Sequence, residues 1–365
     1  MSAHQPVITA LGILSPLGMG REDFVSAWRQ GRSAEAQVEG PVAGGFLVGE
    51  FLLREAFPSG RALMRRMDRL SKLICMSGAL ARDDAPGVGD IEELGLGVGT
   101  DLGTLEMTWA FLVRLREKGP ELANPNDFPN LVPNAGAGYL GILTGARGPS
   151  HTFCQHDTCG DDAVAWAADG VSSGWFGACL AGGAEELGEI RGRAMARTGC
   201  PIPEGPGGEG ATMLLVESAA RAEQRGARPL AAHRGSWGGS GLRRGSPLKR
   251  TVDPQALTEL IAIALARSGT PADDVGAVLL SAPRDAVMRD GVRAALGRDV
   301  PSTDHDVRLG VHPADGAFRT ALAALLLADP GLPVNATGAL RAGPAALVIS
   351  AGRGGSLRVS VLSEA

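Results

Sequence analysis

The densest run of chemically capable side chains is Cys154-Gln155-His156-Asp157-Thr158-Cys159-Gly160-Asp161-Asp162, directly ahead of the helical stretch AVAWAAD. Thiols, an imidazole and carboxylates at this spacing could ligate a metal, or supply a nucleophile and a base. A zinc site needs a second short ligand cluster, and none occurs elsewhere in the chain, so we expect no metal. A turn entering a helix N-terminus accounts better for the run. Asp161 and Asp162 then fall in the first turn, where the helix dipole favours carboxylates. Asp157 falls at the tip of the turn, where other enzymes carry a nucleophile.

Such a turn must be held by a strand before it and a helix behind it. The chain has 365 residues, room for one large domain or two ordinary ones. With 44% hydrophobic and 21% charged residues it belongs with globular proteins rather than disordered ones. A net charge of −5 gives no general attraction for nucleic acid or anionic membrane, and we expect neither as a partner. The start, MSAHQPVITALGILSPLG, lacks the charged region and long apolar core of a signal peptide. No apolar run reaches the roughly 18 residues of a membrane span. The five cysteines, Cys75, Cys154, Cys159, Cys179 and Cys200, are odd in number and show no paired spacing, which suits a reducing cytoplasm.

Short apolar runs alternate with helical periodicity, the mark of an α/β sheet covered by helices. Strands are expected at Val7–Leu11, Leu94–Gly99, Phe176–Ala181, Thr212–Glu217, Val275–Ser281, Ala345–Ser350 and Leu357–Leu362. Helices are expected at about Leu105–Lys118, Pro254–Ser268 and Ala317–Ala328. Asp253 as N-cap, Pro254 at the first position and Gly269 at the end punctuate the second of these. By composition Pro201–Gly210 and Gly235–Pro247 are loops, the latter with Arg243, Arg244, Lys249 and Arg250 as a basic solvated surface. The strand, helix and Gly-rich turn order recurs, suggesting two similar halves at 1–220 and 221–365.

The order of motifs resembles the β-ketoacyl synthase branch of the thiolase-fold proteins over nearly the whole length. VITALGILSPLGMG is similar to the family's opening strand and turn, and Met67-Asp68-Arg69 to its Met-Asp-Arg motif. Gly97–Glu106, Arg116–Pro120 and Phe128–Ser150, with its Pro-Asn and Arg-Gly-Pro segments, follow in the family's order, as do Leu180–Glu186 and Ala351–Ser356. The resemblance implies an α/β, αβαβα five-layer thiolase-like fold, and no cofactor.

It also exposes departures. Active synthases carry a cysteine three residues before the glycine that opens the helix. Here Gly160 matches that glycine and Asp157 stands at the cysteine's place, flanked by Cys154 and Cys159. A carboxylate cannot form the acyl thioester that a thiolate forms. The first catalytic histidine, of a His-Gly-Thr-Gly-Thr motif, becomes Ser281; the second corresponds to His312, without the usual upstream lysine. The Gly-Phe-Gly-Gly gating loop reads Gly352-Arg353-Gly354-Gly355. Arg353 is either a solvated loop residue or the cation of a salt bridge closing a vestigial pocket on Asp157; His312 is either a retained site group or a structural histidine.

Loss of the nucleophile and first histidine together implies a non-catalytic member, most like a chain length factor, or ketosynthase β subunit, although those usually carry glutamine where Asp157 stands. The chain is also shorter than typical members, chiefly between Glu186 and Gly208. The resemblance implies two partners, a cysteine-containing ketosynthase forming a heterodimer and an acyl carrier protein, and a cytoplasmic setting. Pairing would run through the sheet edge at about Ser150–Gln155. The alternatives are a pseudo-synthase performing acyl transfer or malonyl decarboxylation with Asp157 and His312, and a carrier-protein docking module. On the Leu105–Lys118 helix, Met107, Phe111 and Leu115 share one face, with Leu112 beside it. Such a stripe ordinarily packs in a core; the resemblance offers the partner's acyl tunnel instead. Trp109 points elsewhere, to the core or the interface rim.

Overall fold

The computed structural model describes residues 4–36, 44–88, 93–198, 207–241 and 252–365. Ten strands form it: β1 (Pro6–Ser15), β2 (Gly18–Met19), β3 (Gly95–Gly99), β4 (Ser150–Phe153), β5 (Ala178–Glu185), β6 (Gly210–Ser218), β7 (Ala231–Ser240), β8 (Val275–Leu280), β9 (Ala345–Ala351) and β10 (Ser356–Ser363). The helices that matter here are α1 (Gly20–Arg29), α2 (Arg69–Asp83), α3 (Leu105–Lys118), α4 (Ala135–Thr144), α5 (Cys159–Ser172), α6 (Glu189–Thr198), α7 (Pro254–Ser268), α8 (Ala286–Leu296) and α9 (Gly316–Ala328).

The strands run in the order β4-β3-β5-β6-β1-β7-β10-β9-β8, with β2 paired to β1. Within each half one pattern repeats. β3 lies parallel to β5, β5 antiparallel to β6, and β6 antiparallel to β1. Likewise β8 lies parallel to β9, β9 antiparallel to β10, and β10 antiparallel to β7. The halves join through a short pairing, Val7 with Ala232 and Ile8 with Ala231.

Both faces of each half-sheet are covered, which is why the strands read as unbroken apolar runs rather than alternating ones. On β9, Ala346 and Val348 turn toward the central helices α5 and α9, while Leu347 and Ile349 turn toward α7 and α8. On β5, Cys179 and Ala181 face the centre, and Leu180 and Ala184 face α2 and α4. The layers are therefore helices, sheet, central helices, sheet, helices: the expected αβαβα arrangement. The central helix α9 is buried along nearly its whole length, through Ala321, Leu322, Ala323 and Ala324 among others. Ala317, Ala321, Ala323 and Ala324 let both ends of the sheet approach this helix.

Helix α7 begins and ends as its caps require: Asp253 accepts from the Gln255 amide at 3.0 Å, and Gly269 takes a left-handed conformation. Three sequence expectations need correction. The strand expected at Phe176–Ala181 lies at Ala178–Glu185, because its register is set by pairing with β6 rather than by the aromatic start. The loop expected from Gly235 is strand as far as Ser240, and residues 242–251, including Arg243, Arg244, Lys249 and Arg250, lie outside the described residues. Pairing with β10 overrides the low strand propensity of its glycines, and the Trp237 ring covers Gly235, where a Cβ would lie 2.5 Å from it. The core reading of the Leu105–Lys118 stripe also fails: α3 has the expected bounds, but none of its residues is buried.

Candidate active-site pocket

The carboxyl ends of the parallel strands β4, β3 and β5 converge, with Gly99 level with Phe153 and Gly183. In open α/β sheets this is the end at which ligand sites form. The Cys154–Thr158 turn leaves β4 here and enters α5. Glycines let the backbones close in: a Cβ on Gly160 would lie 2.3 Å from the Ala314 carbonyl oxygen, and one on Gly99 2.3 Å from that of Cys159. That contact brings the Val311–Asp315 loop against the start of α5.

Asp157 is only 5% exposed, at the tip of the turn. Its Oδ2 accepts from the Arg353 amide at 2.8 Å and from Arg353 Nε at 3.2 Å. The Arg353 guanidinium also bonds Asp101, which follows β3. Arg353 is therefore a half-buried clamp across two carboxylates rather than a solvated loop residue, its side chain 16% exposed. Asp101 in turn meets His156 Nδ1 at 3.1 Å through its other oxygen. Its amide donates to Glu185 at 2.9 Å.

His156 is the one non-glycine among the described residues with positive φ, at 58°. Left-handed backbone costs an ordinary residue about 1 kcal/mol or more. The strain sits beside Asp157, one residue ahead of it.

Electrostatics around the turn disfavour thiolate chemistry. Cys159 is fully buried, and burial pushes its thiol well up, with Glu185 and Asp101 adding to the effect. Cys154 is exposed, yet partial burial and the same two carboxylates raise its thiol too. Burial lifts Glu185 to about 7 against the pull of Arg191, and Glu186 to about 8 with four further carboxylates nearby. Arg191, buried on α6, donates to the Glu186 carbonyl at 3.0 Å.

His312 is buried, and burial with Arg191 and Arg319 nearby lowers it to about 3, so it is neutral. Its loop touches the start of α5 through Pro313, whose carbonyl lies 3.9 Å from Cys159 Sγ. Ser281 follows β8, and its hydroxyl accepts from the Ala351 amide at 3.0 Å, tying β8 to the strand that leads into the Gly352–Gly355 loop. A serine hydroxyl there carries no imidazole chemistry.

Beneath the turn lies a second ion network. Asp161 accepts from Ser350 at 2.7 Å and lies 3.6 Å from Arg319; Arg319 also pairs with Asp315, and Asp162 with Arg358. Asp161 and Asp162 occupy the first turn of α5, as expected, but each also faces an arginine from another element, Arg319 on α9 and Arg358 on β10. Asp101, Glu185, Arg191 and Arg319 were not singled out from sequence. Asp101 and Glu185 were findable, since both fall inside the motif segments Gly97–Glu106 and Leu180–Glu186 that the sequence already marked. Arg319 was not, because it comes from a distant element, and Arg191 gave no local signal that its side chain would turn back to Glu186.

Met107, Phe111 and Leu115 sit half-buried on α3, away from this network, while Trp109 and Leu112 are each 51% exposed. Strand β4 is one edge of the sheet among the described strands, and β8 is the other. No group of three or more potential metal ligands occurs among the described residues, and no described helix is long and apolar enough to cross a membrane.

A family profile described as the N-terminal domain of β-ketoacyl synthases matches residues 5–206. The 3-oxoacyl-[acyl-carrier-protein] synthase 2 of Vibrio harveyi is 29% identical over 256 residues, which is 62% of this chain and 61% of that protein's length. Among solved structures, the ishigamide ketosynthase/chain length factor aligns with a TM-score of 0.83 at 19% identity, covering 99% of both chains. A type II polyketide synthase acyl carrier protein in complex with its ketosynthase bound to the hexaketide aligns with a TM-score of 0.82 at 18% identity, again covering 99% of both. At such identities the structural likeness concerns the fold.

Proposed function

The chain belongs to the β-ketoacyl synthase family, and from that premise we propose that it is a catalytically degenerate, chain-length-factor-like subunit paired with a cysteine-bearing ketosynthase. One observation carries this reading: the nucleophile turn presents a buried carboxylate clamped by the gating-loop arginine. Condensation needs a thiolate to accept the acyl group and donors to stabilise the thioester oxyanion. Asp157 offers no thiolate, and its Oδ2 is already occupied by Arg353. Acyl transfer or decarboxylation through Asp157 and His312 would first require opening that clamp.

We place the partner against the β4 edge and the exposed α3 surface. Edge strands and exposed apolar side chains are liabilities that a partner relieves. On this reading Met107, Phe111 and Leu115 face the partner's acyl tunnel. We place the carrier protein at a groove lined by Arg54, Arg61, Arg65, Arg69 and Lys72 beside Phe51 and Leu53, with Glu50 the one carboxylate of its lining. Cations around an apolar floor suit an acidic partner, with salt-sensitive association.

The test is the native mass of the chain expressed with and without a cysteine-bearing synthase. A one-to-one complex is expected with it, and weak self-association without it. Alone, the chain should take up no acyl group from acyl carrier protein by intact mass. A tight homodimer that refuses such a partner, or a stable adduct on Cys154 or Cys159, would overturn the reading.

A further inference from the structure

We propose that His156 and Asp101 form a general-base dyad that hydrolyses acyl thioesters at the surface end of the nucleophile turn. The inference rests on the reading above only for the source of its substrate, an acyl group on a carrier's thiol. Three observations converge. His156 is 63% exposed while Asp101 beside it is 4% exposed, so a buried carboxylate holds a solvent-facing imidazole. Asp101 Oδ1 meets Nδ1 at 3.1 Å, which assigns the ring proton to Nδ1 and leaves Nε2 as an outward acceptor. The backbone that presents this ring is left-handed, the kind of local strain that persists where the surrounding structure imposes it.

The second oxygen of Asp101 is held by Arg353, and its amide by Glu185, so the carboxylate cannot swing away. Asp157 and Arg353 are the other charged groups at the turn, and they are engaged with each other. A water on Nε2 is thus poised as in other carboxylate–imidazole pairs. Its oxygen bonds to the thioester carbonyl carbon while Nε2 takes the proton. The C–S bond then breaks, the proton passes to the departing sulfur, and the products are a carboxylic acid and a free thiol. No oxidant or cofactor enters. A subunit that cannot condense would in this way clear stalled chains.

The chain is incubated with an acyl N-acetylcysteamine thioester, which needs no carrier docking, and thiol release is followed. Wild type should exceed the buffer rate by about a hundredfold, the scale of general-base catalysis. His156→Asn and His156→Gly should each return the rate to within a few-fold of buffer. Both residues tolerate left-handed backbone, so an unchanged unfolding midpoint separates lost chemistry from lost fold. Asp101→Asn should lower kcat about tenfold at constant KM, and Asp101→Glu should recover part of it, as befits a positioning residue. Cys154→Ser should change nothing. A wild-type rate equal to buffer, a His156→Asn variant as fast as wild type, or loss of release in Cys154→Ser would each overturn the proposal. The native-mass experiment is independent of all three outcomes.

Discussion

Two regions of the molecule treat water in opposite ways. Around the nucleophile turn, Asp101, Asp157, Asp161, Asp162 and Asp315 are withdrawn from solvent and matched by Arg353, Arg319 and Arg358. Across the 105–142 segment, Trp109, Leu112, Leu122, Phe128 and Ile142 are left in solvent with nothing over them among the described residues. The polar groups are thus gathered inside, at the turn, and the apolar ones are left outside. Buried ion networks with matched partners resist opening, because removing one member strands the others. Exposed apolar surface is instead relieved by association. The contrast makes the ion-paired turn a strut, and on the proposed reading it leaves the exposed face for a partner.

Breaking the strut should have the largest effect. Arg353→Ala strands Asp157 and Asp101 together and should cost about 3–5 kcal/mol in denaturant unfolding. The double change Arg353→Met with Asp157→Leu should cost clearly less, since no buried charge is left without a partner at Asp157. If both cost the same, the clamp is not electrostatic.

Next comes the surface. Leu112→Arg places a charge on the exposed α3 face and should leave the isolated chain's unfolding unchanged. Its affinity for a cysteine-bearing synthase should fall by about 2 kcal/mol or more, roughly thirtyfold, if the face lies at the interface centre. An unchanged affinity would move the interface elsewhere.

Phe111→Ala sharpens the same comparison. In an assembled complex it should lengthen the products while preserving assembly, because a shorter side chain leaves room for more carbons. Product lengths unchanged in an intact complex would remove Phe111 from the tunnel.

The smallest effect is in pH. Glu185 and Glu186, raised to about 7 and about 8 by burial, bind protons more tightly folded than unfolded. Their contribution is complete below the unfolded value of about 4.3 and is lost as pH rises through 7 to 8. His233, His305 and His312, lowered by burial to about 4, 4 and 3, act oppositely: their contribution is present above about 6.5 and is lost as pH falls toward those values. The unfolding midpoint should therefore decline between pH 6.5 and 8.5, and Glu186→Gln should flatten that decline.

Much of this was legible in residue order. Period and caps located α3 and α7 to the residue, since both signals are local. Alternate burial on two faces explained the apolar strands, and motif order led to the family. The Gly160 anchor placed Asp157 at the turn, and Arg353 was named as a candidate partner for it. What sequence could not decide was whether Arg353 would close on Asp157 or point to water. The two are 196 residues apart, and their meeting depends on two half-sheets packing over one central helix layer. The same holds for β7, whose glycines read as loop until β10 supplied a ladder, and for α3, whose stripe read as core until the fold left it outside. Local chemistry is written in neighbouring residues. Which groups are deprived of water, and which are left facing it, is set by layers that come together only when the chain has folded.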